Sequence, residues 1–123
     1  MRSEFKITVV VENNAALPFA AEHGVALLVD YNGRRILFDC GAGGALAHNA
    51  GLLGLDLERL SAVVLSHGHN DHTGGLALLN QCEIWCAPDV EVPHYSRHLG
   101  QPVHNISMPE DALACFNRQV IHR

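Results

Sequence analysis

In the first third of the chain, apolar positions fall in blocks short enough for strands, separated by turn-forming residues. Phe5 to Val11 is rich in β-branched side chains and predicts a first strand. Glu12 to His23, with Pro18 and several small residues, reads as a connecting loop. Gly24 to Tyr31 and Arg34 to Asp39 predict two further strands, joined by Asn32-Gly33, the strongest short signal for a two-residue hairpin turn. Gly41 to Gly44 predicts a flexible turn. Ala45 to Leu53 then carries Leu46, Ala50 and Leu53 on one helical side, and Gly54 is placed to end that helix as a C-terminal cap. Asp56 is placed to cap a short helix over Leu57 to Leu60.

Ala62 to Ser66 is a short apolar run of the kind that suits a strand buried on both faces. Gly68 breaks it, Gly74-Gly75 follow, and Leu76 to Leu79 suits a helix. Cys82 to Ala87 predicts another strand, closed by Pro88. Beyond it the periodicity weakens, punctuated by Pro93, Gly100, Pro102 and Pro109. A brief helix with Pro109 in its first turn is expected to run to Phe116, and Gln119 to His122 reads as the start of a strand. Strands come first, then a β-α-α-β run. The expected fold class is therefore α/β, a mixed sheet with helices on one face.

The chemistry lies in the turn after Ala62–Ser66. Residues 66 to 75 read Ser-His-Gly-His-Asn-Asp-His-Thr-Gly-Gly. Neutral imidazoles and a carboxylate are the ligand set of zinc and similar borderline metals. In an extended backbone positions i and i+2 point the same way, so His67 and His69 can reach one ion. Asp71 and His72 are offset around the turn and more naturally reach a second ion beside it. Ligand sites in α/β sheets gather just beyond the carboxyl ends of strands, where this segment is expected to sit.

This decade resembles the His-x-His-x-Asp-His signature of the metallo-β-lactamase superfamily. Val11-Glu12-Asn13-Asn14, Glu22-His23-Gly24, Arg35 to Gly41, His48-Asn49-Ala50 and Leu55-Asp56-Leu57 also match, in order, the branch that includes dihydropterin-ribofuranosylaminobenzene phosphate synthase-like proteins. The resemblance runs from about Ile7 to about Pro88. It implies the N-terminal half of an αββα sandwich. It implies that His67 and His69 bind a first metal, that Asp71 and His72 bind a second, and that Asp39 supports the site from behind. It implies one or two zinc ions, with Mn2+ or Fe2+ as alternatives. Metal-bound hydroxide would attack an ester, phosphoester or related bond, and Asp71 would also orient the nucleophile. In this branch the loop carrying His23 lies near the mouth of the site, which makes His23 a candidate substrate contact. The family's remaining ligands, a third histidine on the first metal, a bridging aspartate and a last histidine, have no counterpart found here.

Three readings follow. The chain is a metal-dependent hydrolase, a remnant that binds metal weakly or not at all, or a subunit needing a partner chain to supply the missing ligands. The expected organisation is a single half-domain over residues 1–123, truncated at its C-terminus. One face of its sheet would stand open unless a second copy or a complementing chain covers it.

Composition narrows the classes further. The 123 residues allow at most one domain, and 48% hydrophobic content supplies a core. The net charge of −5 leaves no electrostatic footprint for nucleic acid and weighs against the RNA-processing members of the superfamily. The expected ligand is a small-molecule substrate. No apolar run is long enough to span a bilayer. Met1 to Lys6 lacks the apolar core of a signal peptide, so a cytoplasmic protein is expected. Cys40, Cys82, Cys86 and Cys115 read as buried free thiols. His48 and Asn49 are expected in a capping or supporting role. His94, His98 and His104 lie in the irregular stretch as substitute ligands at most, and His122 is expected to be solvated, as are Asp89, Glu91, Glu110 and Asp111.

Overall fold

The Asn32-Gly33 signal produces the expected hairpin. In a computed structural model, which describes residues 4–123, β1 (Phe5–Val11) pairs antiparallel with β2 (Ala26–Tyr31), and β2 with β3 (Arg34–Phe38). Asn32 and Gly33 adopt φ of 49° and 80°, the two left-handed positions a tight hairpin turn requires. The sheet then changes character. Short β4 (Ala62–Val64), β5 (Glu83–Trp85) and the last strand, β8 (Val120–His122), add in parallel to give the order β1-β2-β3-β4-β5-β8. The mixed α/β sheet expected from the pattern is thus present. Of the central strand, Ala62 and Val63 are buried and Val64 is half-buried.

Helix α1 (Leu46–Leu53) ends at Gly54, whose φ of 68° makes the left-handed cap. Asp56 accepts a hydrogen bond from the Glu58 N–H and opens a 3-10 turn over Leu57–Arg59. Helix α3 (Glu110–Phe116) follows Pro109 and packs on the segment after the motif. Three segments depart from expectation. The helix of the motif, α2 (Asn70–Thr73), starts inside the histidine cluster rather than after it. Gly74–Leu78 forms a tighter 3-10 turn instead of an α-helix. The cause is close packing: a Cβ on Gly74 would strike the Ala42 carbonyl and one on Gly75 the Cys40 carbonyl. The stretch expected to be irregular contains a small antiparallel pair, β6 (Tyr95–Ser96) and β7 (His104–Asn105).

The core lies on one face of the sheet, where Leu28, Leu37, Val63 and Ile84 meet Leu46, Ala50, Leu76 and Phe116. The strand register puts Val9, Leu27, Phe38, Val64 and Trp85 in one row on the opposite face. Among the described residues no helix covers that row: Val9 is 54% and Trp85 48% exposed, and Phe5, Ile7 and Tyr31 beside them are also exposed. No helix among the described residues is long and apolar enough to cross a membrane.

Candidate metal centre

Strand β4 runs toward the motif, and the chain turns at Gly68, where a side chain has no room. A Cβ there would strike the Val90 carbonyl. His67 and His69 flank this glycine, and α2 brings Asp71 and His72 back toward them. Potential ligand atoms of His67, His69 and Asp71 lie within 4.8 Å of one another, and so do those of Asp39, His67 and His72. The His67 ring is 4.4 Å from that of His69 and 4.2 Å from that of His72. The four motif side chains therefore converge, with Asp39 behind them.

Asp39 sits at the tip of β3 with a left-handed φ of 56°, a strained setting for a residue with a Cβ. It is 1% exposed. Its Oδ1 accepts from the Ser66 N–H (2.8 Å) and its Oδ2 from the Ser66 hydroxyl (2.6 Å). Oδ2 also meets His72 Nδ1 at 2.8 Å. A carboxylate only accepts, so His72 carries its proton on Nδ1 and keeps Nε2 free as a ligand. The Ser66 hydroxyl has spent its one hydrogen on Asp39, so at 2.7 Å it accepts from His67 Nδ1. His67 Nε2 is then left unprotonated too. Asp39 belongs to one of the two groups that could hold an ion, but three of its acceptor sites are already taken by Ser66 and His72.

The other carboxylate is held in a similar way. The Asn13 amide nitrogen lies 3.3 Å from His23 Nδ1, which must accept, so His23 is protonated on Nε2. That nitrogen meets Asp71 Oδ2 at 3.1 Å. His23, expected at the mouth of the site, thus reaches the cluster through Asp71 while its own side chain stays 81% exposed. Burial, followed by the neighbouring His72 and His69, pushes the His67 pKa down from its ordinary value. The ring is therefore kept neutral, as a ligand must be.

Backbone clamps fix the surroundings. The Cys40 N–H donates to the His72 carbonyl (2.8 Å) and the Val25 N–H to that of Asp71 (3.3 Å). The Glu22 carboxylate accepts from the N–H groups of Ala42 and Gly44, holding the glycine turn after β3. Asn49 is buried and ties α1 to the first loop through Ala20 and the Val10 carbonyl, the supporting role expected of it. His48 caps the Pro18 carbonyl from the same helix.

Beside the cluster opens a cleft of about 360 Å³ lined by His23, His69, Asn70, Asp71, His98 and Ile106, among others. His98 reaches this rim, whereas His104 stays on the exposed β7. A separate hollow beside α1, lined by Val9, Phe19, Asn49 and Leu53, contains none of the clustered ligands. His122 is not simply solvated: its ring stacks on Trp85 at 4.1 Å. Glu91 is paired with Arg123. All four cysteines are free, but only Cys40 and Cys115 are buried, with Cys82 and Cys86 half-buried. Burial, then the charge of Asp39, pushes the Cys40 thiol far up, leaving an inert sulfur beside the site. The pattern of residue types did not identify Ser66 as part of the centre. Its only local signal was its place at the end of the motif strand.

Comparison with known proteins agrees with this geometry. Residues 21–111 match the family model described as the metallo-beta-lactamase superfamily. The chain is 37% identical over 78 residues to the 7,8-dihydropterin-6-methyl-4-(beta-D-ribofuranosyl)-aminobenzene-5'-phosphate synthase of Methanocaldococcus jannaschii, covering 58% of this chain and 26% of that protein. It is 33% identical over 67 residues to a ribonuclease Z of Clostridium botulinum, covering 54% and 21% respectively. A solved metal-dependent hydrolase of the beta-lactamase superfamily superposes with a TM-score of 0.77 at 25% identity, over 97% of this chain and 41% of that one. The chain thus spans about a quarter of the length of such curated relatives.

Proposed function

Because the chain belongs to the metallo-beta-lactamase superfamily, we propose that it is a metal-dependent hydrolase acting on an ester, phosphoester or related bond. The observation that carries this reading is the hydrogen-bond geometry around Asp39. One buried carboxylate, directly and through Ser66, leaves a ligand nitrogen bare on both His72 and His67. A surface turn that was merely rich in histidine would have no reason for that arrangement.

His67 and His69 would hold one divalent ion, with Asp71 and His72 beside them for a second. Zinc suits the donor set best, and Mn2+ or Fe2+ are alternatives. When bound, such ions act as Lewis acids and lower the pKa of water to about 7. The chain's own residues do the rest. His23 fixes the Asp71 carboxylate through Oδ2, so that Asp71 would orient the nucleophilic water as well as bind metal. Asn70 and His98 line the cleft by which substrate would enter. The same reading keeps the protein in the cytoplasm, where free thiols such as Cys40 and Cys115 persist.

A second reading rests on the exposed row from Val9 to Trp85. In it a second copy or a complementing chain covers that face and adds ligands to the centre. The deciding experiment measures metal content by mass spectrometry and turnover of p-nitrophenyl acetate and bis(p-nitrophenyl) phosphate. Bound metal that disappears in His67→Ala/His69→Ala, together with chelator-sensitive turnover, is expected. A chain that takes up no ion from zinc- or manganese-containing buffer refutes the proposal.

A further inference from the structure

We propose that His94, just ahead of β6, brings a further imidazole to the ion held by His67 and His69. The inference rests on the metal-dependent reading above. Its ring lies 5.3 Å from that of His69, at 72° to it. Two imidazoles on one tetrahedral ion have centroids about 5 Å apart, as metal–nitrogen bonds of about 2.0–2.1 Å require. The Nδ1 of His94 is buried and has no hydrogen-bond partner. A buried polar atom left unpaired is costly, and an ion is one of the few things that relieves it. No hydrogen bond commits that nitrogen elsewhere, so an ion shared with His67 and His69 would require only a local adjustment of the ring.

The backbone places His94 firmly. Its N–H donates to the Ser107 hydroxyl (2.8 Å), and its carbonyl accepts from the Ile106 N–H (2.9 Å). The Ile106 carbonyl in turn accepts from the Asn70 N–H (2.9 Å), at the first residue of α2. The β6–β7 pair is therefore hooked onto the motif helix itself. On the other side, His94 Cε1 lies 3.0 Å from where a Cβ on Gly68 would be. Gly68 stands between the two histidines of the first ion, so a side chain there would block the approach.

The test uses the full chain with Co2+ as the probe. Its visible spectrum reports ligand number, and titration gives affinity. His94→Ala is expected to weaken cobalt binding by roughly tenfold or more and to alter the visible bands. His94→Cys is expected to add a sulfur-to-cobalt charge-transfer band in the near ultraviolet, whereas His104→Ala changes neither reading. Circular dichroism checks folding, and the cysteine variant keeps the test sharp if the alanine variant unfolds. Wild-type affinity and spectrum in His94→Ala, or a folded His94→Cys without the new band, overturn the assignment while leaving the hydrolase reading intact. Failure of the wild-type chain to bind cobalt overturns both.

Discussion

Asp39 concentrates three demands on one residue: a left-handed backbone, full burial, and acceptance of hydrogen bonds from both Ser66 and His72. Asp39→Ala strands those donors and is expected to cost about 1–3 kcal/mol of stability, measurable by urea unfolding. Ser66→Ala removes the hydroxyl bond to Asp39 Oδ2 and with it the link to His67, while the Ser66 N–H still donates to Oδ1. It should leave the fold in place and weaken metal binding about 10–100-fold, read by competition with a chelating dye. The lowered pKa of His67 gives a pH signature with a definite sign. The unfolded chain binds a proton at this ring near pH 6.5, and the folded chain only at lower pH. Stability from this group is therefore complete above about 6.5 and declines as pH falls from there toward the lowered value. NMR titration of the metal-free protein should show one imidazole titrating below the normal range, and a His67 signal at the ordinary value would contradict the burial described.

At the scale of elements, local signals were legible wherever a few neighbouring residues decide the outcome. Asn32-Gly33, Gly54 and Asp56 each set a turn or a cap without help from distant parts of the chain. The convergence of the motif side chains was legible for the same reason, since four candidate groups fall within six positions. What stayed hidden depends on long-range contacts. The 3-10 geometry of Gly74–Leu78 is imposed by backbone from residues 40–42, and the β6–β7 pair is recruited by Asn70. Ser66 finds its carboxylate partner only once Asp39 arrives, and the backbone of His94 is fixed only once Ile106 does. Two glycine substitutions separate these regimes. Gly75→Ala drives a methyl into the Cys40 carbonyl and should cost about 1–3 kcal/mol. Gly51→Ala, on the open side of α1 with no atom within 4 Å, should stabilise by about 0.5–1 kcal/mol. Thermal melts of the two variants should shift in opposite directions.

For the whole molecule, the row from Val9 to Trp85 is apolar surface left open to water on the sheet. Apolar surface of that kind favours association or a partner. Val9→Lys with Trp85→Glu is expected to lower the mass seen by sedimentation equilibrium and to reduce binding of a hydrophobic dye. Val9→Lys should change stability by less than about 0.5 kcal/mol, whereas Trp85→Glu also removes the stack on His122 and should cost about 0.5–1.5 kcal/mol. An unchanged mass and dye signal would show that this face is not sticky. The bond between Asn70 and Ile106 adds a dimension of time. The Asp39–His72 contact joins residues made by the end of the motif, but the grip on the first residue of α2 waits for a stretch made later. A nascent chain halted before Ile106 would therefore lack that anchor, and the motif helix settles only after the later stretch has been made.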